Sequence, residues 1–259
     1  MTTELKESLI QQFNTLEKTT SASLLADTRK EAISAFQQLG FPTTKHEEWK
    51  YTNLKTTLAK PYAIESAATV SAEDLKALTA LPIDCYKIIF VNGIFSPSLS
   101  TIDAAGVTIE SFQTSNQELV QKYFGKNLPY NDSMVALNIA FATTGTLIHV
   151  KAKQQVDKPI VCFYLADVRN ANVFAQPSVL IVVEEAANAI VVELNRSLGS
   201  NTAFTNAFTH AILKKDAYLE QYKIQNDIDN SNFVHNSQLV HEGKSNSYTT
   251  TITLNGGLV

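Results

Sequence analysis

From Pro159 to Leu254 the chain reads as one strand after another, with no helical periodicity between them. That feature points to a serial β-architecture. Ser178-Val179-Leu180-Ile181-Val182-Val183 is a near-continuous apolar run, the pattern of a strand covered on both faces. Ala189-Ile190-Val191-Val192-Glu193-Leu194 has the same character. Later segments alternate: Tyr248, Thr250, Ile252 and Leu254 fall on one face of a strand, and Thr249, Thr251 and Thr253 on the other. Turn-forming clusters at 195–201, 226–232 and 242–246 separate the segments, because Gly, Asn and Asp accept positive φ or hydrogen-bond their own backbone.

The front of the chain has a different texture. Leu5, Leu9, Phe13 and Leu16 recur at helical spacing. A second helix is expected from about Ser23 to Leu39, with Gly40 at its end and Pro42 preventing continuation. Thr44 and Glu47 fit a capping box, which predicts a short helix through Trp49 and Tyr51. Ser71 to Asp74 opens another helix. Lys87 to Val91 reads as a strand, turned back at Asn92-Gly93 into Ile94 and Phe95. Gly106 to Phe112 is a further strand. Ser115 and Glu118 form a second capping box, opening a helix that stops near Gly125, and Asp132 caps a helix carrying Leu137, Ile139 and Phe141. After Gly145 the pattern turns to strands, Thr146 to Val150 and then Ile160 to Leu165. Two domains are expected: a mainly helical one over 1–145 with a β-hairpin near 87–96, and a β core over 146–259.

Composition narrows the function classes. Of the 259 residues, 44% are apolar and 18% charged, with a net charge of −4, an ordinary globular balance. No basic block stands out, which argues against a nucleic-acid or anionic-membrane partner. The start lacks the basic and apolar regions of a signal peptide, and no apolar run approaches the roughly 20 residues of a membrane span. Cys85 and Cys162 sit far apart in apolar strand-like contexts, so buried free thiols and a cytoplasmic location are expected.

Chemistry-bearing patterns are weak. His46, His149, His210, His235 and His241 form no metal-spaced pair, although His235 and His241 could meet across a strand. Asp227-Ile228-Asp229 begins like a calcium loop, but Asn232 and Gln238 replace its Gly and Glu, so a polar turn is expected. No phosphate-binding glycine loop and no nucleophile elbow occurs. Glu184-Glu185, taken as strand neighbours, would point to opposite faces and could not share an acid–base site. Trp49 suits either a partner anchor or packing between short helices, and packing is favoured. No catalytic, cofactor-binding or metal-ligating residue is assigned, and the chain is not expected to be an enzyme.

A resemblance does what these patterns cannot. Arg29-Lys30-Glu31-Ala32 followed by Gly40-Phe41-Pro42-Thr43-Thr44-Lys45-His46-Glu47-Glu48-Trp49-Lys50-Tyr51-Thr52-Asn53-Leu54 resembles the N-terminal signature of the SufB/SufD family of iron–sulfur cluster assembly proteins, on its SufD side. Phe90-Val91-Asn92-Gly93 with Phe95-Ser96-Pro97 is similar to that family's hairpin. Ala136-Leu137-Asn138-Ile139-Ala140-Phe141 with Gly145 and Ile148-His149-Val150 is similar to a later block, and Tyr222-Lys223-Ile224-Gln225 to a segment of its β core. The resemblance implies a mainly β fold: a right-handed parallel β-helix preceded by a mainly α-helical domain. It implies a scaffold subunit that pairs with a SufB-like chain and a SufC-like ATPase, holding no cofactor itself while the complex builds a transient iron–sulfur cluster. A homodimer in isolation is a further expectation.

SufD-like chains are usually longer, so the stretch from Leu254 to Val259 is expected either to meet a partner or to continue into more β-helix. A SufB-like scaffold is disfavoured by the two cysteines. A β-solenoid carbohydrate-active enzyme would need carboxylates from adjacent coils lining a groove.

Overall fold

The computed structural model describes residues 2–20, 24–64, 68–101, 103–128 and 130–258. Ser23 and Val259, which bound two of the sequence expectations, lie outside them. Six helices are described: α1 Thr2–Thr20, α2 Ala26–Leu39, α3 Lys55–Leu58, α4 Ala72–Leu78, α5 Gln117–Tyr123 and α6 Ser133–Phe141. The strands are β1 Ala63–Ile64, β2 Tyr86–Val91, β3 Ile94–Phe95, β4 Val107–Ser111, β5 Thr146–Val150, β6 Ile160–Asp167, β7 Val173–Ala175, β8 Ser178–Val183, β9 Asn188–Leu198, β10 Ala203–Leu213, β11 Tyr218–Asn226, β12 Ser231–His241 and β13 Asn246–Asn255. The molecule is mainly β, a β-solenoid of about 4 turns behind a helical N-terminal region.

Most helix ends follow their local chemistry. The Ser71 hydroxyl accepts from the Asp74 amide at 3.0 Å and starts α4. Asp132 accepts from the amides of Met134 and Val135 at 2.8 and 3.1 Å and starts α6. Gly40 closes α2 with φ of 67°, and its N–H donates to the Phe36 carbonyl. Two capping boxes are corrected. Asn116, not Ser115, caps α5, because its side-chain oxygen reaches the amides of Glu118 and Leu119. Around Thr44 the His46 ring takes over: the Thr43 amide donates to His46 Nδ1 at 3.0 Å. The chain from Glu47 to Trp49 makes only one 3₁₀ turn rather than a helix through Tyr51.

Two sheets coil around each other. One runs β13-β11-β9-β6-β2-β3; the other runs β1-β7-β10-β8-β5-β4, with β12 added on β10. Apart from the β2–β3 hairpin and the β4–β5 pair, the named pairings are parallel. Each coil contributes a strand to both sheets. Side chains stitch equivalent positions one coil apart: Asn172 to Thr202, Gln176 to Asn206 and Ser200 to Asn230 each span 30 residues. The period is carried by register and turn polarity, not by repeated identical residues.

Three apolar layers follow. The interior between the sheets holds Ile88, Ile160, Val179, Ile181, Val183 and Val191. The outer face of the second sheet packs Phe174, Leu180, Phe204 and Phe208 against α1, α2 and α6. Hence β8 and β10 are buried on both faces, as the unbroken apolar run of β8 predicts. By contrast β9 alternates, with Ile190 and Val192 only half-buried, so its apolar look overstates its burial. On the early coils, the outer face of the first sheet is covered by the segment bearing α4, through Val70, Leu75, Leu78 and Leu81.

Inside the helical region, Arg29 is fully buried. Its Nε donates to the Ala140 carbonyl at 2.9 Å, NH1 lies 3.5 Å from Glu17, and the guanidinium stacks over Phe13. The arginine thereby ties α1, α2 and α6 together.

Candidate functional site

Strand parity decides which side chains enter the solenoid. In β9 the inward row is Ala189, Val191, Glu193 and Asn195, all buried. Register carries that row onto Leu219, Gln221, Lys223 and Gln225 of β11, and then onto Ser247, Thr249, Thr251 and Thr253 of β13. The interior therefore changes from aliphatic to polar along its axis. In β13 the threonine row continues the inward side, leaving Tyr248 and Leu254 on the outer one at 66% and 67% exposure.

Glu193 is the centre of the polar part. It is fully buried, and side chains from four other strands converge on its carboxylate. Tyr164 of β6 donates to Oε1 at 2.6 Å and Thr209 of β10 at 2.5 Å. His235 Nε2 of β12 lies 3.2 Å from the same oxygen, and Gln221 Nε2 of β11 donates to Oε2 at 2.5 Å. Gln221 also reaches the Ser237 hydroxyl at 3.1 Å. Burial by itself would raise the Glu193 pKa, but His235 and the hydrogen bonds from Thr209 and Tyr164 outweigh it and hold it at about 2. Burial pushes His235 down, more than the carboxylate pulls it up. Lys223 is likewise pushed down by burial, with Glu193 acting in the opposite sense. A carboxylate with this many donors is a structural anion rather than a poised base.

The remaining histidines are scattered. His46 is an exposed turn residue, and His149 sits 3.2 Å from Glu184. His210 is buried on the helix-facing row of β10, where burial takes its pKa to about 4. His235 and His241 share β12, so they cannot face each other across a strand pair; His241 meets Ser245 and Ser247 instead. Glu184 and Glu185 follow the end of β8 in a turn and are not strand neighbours. Asp227 binds back onto β9, accepting from Asn195, the Ser197 amide and the Ser197 hydroxyl, which makes it a polar turn. Trp49 is half-buried against the helical core, as packing requires. Cys162 is buried and Cys85 half-buried, both free. Among the described residues no group of three or more His, Cys, Asp or Glu side chains could hold a metal ion, and no helix is long and apolar enough to cross a membrane.

Sequence reasoning missed the Glu193 cluster. Its one signal was a lone carboxylate inside an apolar run, on the inward parity of β9.

Residues 3–162 match the SufBD protein N-terminal region, and residues 165–259 match the SufBD core domain of the SUF system for FeS cluster assembly. The chain is 22% identical over 242 residues to an iron–sulfur cluster assembly SufBD family protein of Synechocystis sp., covering 88% of this chain and 53% of that one. It is 27% identical over 226 residues to the iron–sulfur cluster assembly protein SufD of Escherichia coli, covering 82% of this chain and 50% of the other. The chain thus spans about half the length of the curated relatives it matches.

Proposed function

This chain belongs to the SufBD family of iron–sulfur cluster assembly proteins, and on that premise we propose that it acts as a SufD-like scaffold. One observation carries the reading: the two family regions follow each other from residue 3 to residue 259, in the same order as helical region and solenoid. In this reading the chain contributes surfaces, not catalysis. Its partners are a SufB-like chain and a SufC-like ATPase, and the iron–sulfur cluster is the cargo of that complex. The cytoplasm is the site of action of the same assembly. The Glu193 carboxylate, already engaged by Tyr164, Thr209, Gln221 and His235, supports a structural role for the interior.

The test is co-expression with SufB-like and SufC-like partners from the same source, followed by light-scattering mass. A stable mixed complex is the expected result. A chain that elutes alone, as a homo-oligomer or monomer, overturns the proposal that residues 1–259 contain a sufficient interface.

A further inference from the structure

The polar cluster around Glu193 joins strands of both sheets. Tyr164, Glu193 and Gln221 belong to the first sheet, Thr209 and His235 to the second. The carboxylate is therefore a bolt across the interior, spanning successive coils. Its position matters because the strands beyond it are poorly held by burial. In β12 only Ser231, Asn232 and Val234 are buried, and β13 has no buried residue. His235 is the side chain through which β12 grips the bolt, and its side chain is 5% exposed.

We propose that His235 and Glu193 form an acid-sensitive latch on the late coils, and that proton uptake at this pair loosens β12 and β13 ahead of the rest of the solenoid. The titratable groups facing Glu193 from the elements packed on it are Cys162 and Tyr164 of β6, Lys223 of β11 and His235 of β12. From β10 the Thr209 hydroxyl, which does not titrate, donates to it. The thiol and phenol are driven well above their ordinary values by burial, with Glu193 adding to the rise, so both stay neutral as pH falls. Lys223 remains a cation in acid and disfavours a second positive charge on His235.

The direction follows from linkage. His235 has a lowered pKa inside and an ordinary value near 6.5 when released, so the open state takes up the proton. The latch is thus closed above 6.5 and weakens as pH falls below it. Glu193, held at about 2 against an ordinary 4.5, adds a second loss in the same direction below 4.5.

Hydrogen exchange read by mass spectrometry on the purified chain tests this, after correction for intrinsic exchange rates. Between pH 6.5 and 4.5, exchange in peptides from β12 and β13 should accelerate by up to about tenfold per pH unit, the limit for one proton taken up on opening. Peptides from β5, β6 and β8 should not follow. His235→Gln keeps a donor toward Glu193 but cannot take the proton, so it should abolish this acid acceleration. The proposal is overturned by wild-type exchange that ignores pH, by acceleration spread evenly over all coils, or by His235→Gln retaining the wild-type pH profile. Should that variant fail to fold, the wild-type comparison between coils decides the matter alone.

Discussion

The early and late coils share one backbone design and differ in what fills it. Early coils enclose Ile88, Ile148, Ile181 and Val183, a dry interior of branched aliphatics. Late coils enclose Glu193, Gln221, Lys223 and His235. Parallel register is kept through both. Backbone hydrogen bonding thus sets the path of the solenoid, while the filling decides how strongly each coil is held. Aliphatic coils gain from every buried methylene; polar coils gain only while each donor and acceptor is matched.

This contrast can be broken at its strongest point. Glu193→Ala would leave Tyr164, Thr209, Gln221 and His235 around an empty centre, and a loss of about 3–5 kcal/mol is expected in urea unfolding. An Ile181→Ala change in the dry interior should cost about 3 kcal/mol, arising from lost transfer energy and a cavity. Unlike the Glu193 loss, the Ile181 loss should not change between pH 7 and pH 5. Lys223→Met should lower stability by about 1 kcal/mol, because it removes a cation that compensates the buried Glu193 carboxylate. The same change should bring the His235 pKa upward, measurable by NMR titration, since Lys223 now pushes it down. Thr251→Val lies on the exposed strand β13 and should change the unfolding free energy by less than about 0.5 kcal/mol.

Much of the architecture was legible because it is written in period. Strands β5, β6, β8 and β13, the Asn92-Gly93 turn and the helices capped by Ser71 and Asp132 all follow from local spacing and cap chemistry. Two errors share one cause. Asn116 and His46 displaced Ser115 and Thr44 at helix starts, since several residues in each stretch could accept an amide hydrogen bond and the backbone path chose among them. The Glu193 cluster was illegible for a different reason. Its members come from β6, β9, β10, β11 and β12, and only the coiling brings residues so distant in sequence to one oxygen pair. The most specific block of the family resemblance includes the turn around Trp49 and Tyr51, and Tyr51 is 92% exposed. Core packing does not account for that tyrosine.

The hydrogen bonds that Thr202, Asn206 and Asn230 donate to Asn172, Gln176 and Ser200 have one more consequence. Each links a residue to its counterpart 30 positions on, so the solenoid has a unit of growth. One residue inserted within β10 would reverse the inward and outward rows from that point and expose Phe204 or Phe208 to the wrong layer. A whole coil of roughly 30 residues, by contrast, would restore parity and present the same stacking surface to its neighbours. Length in such a molecule is gained or lost by the coil, and smaller insertions are confined to the turns.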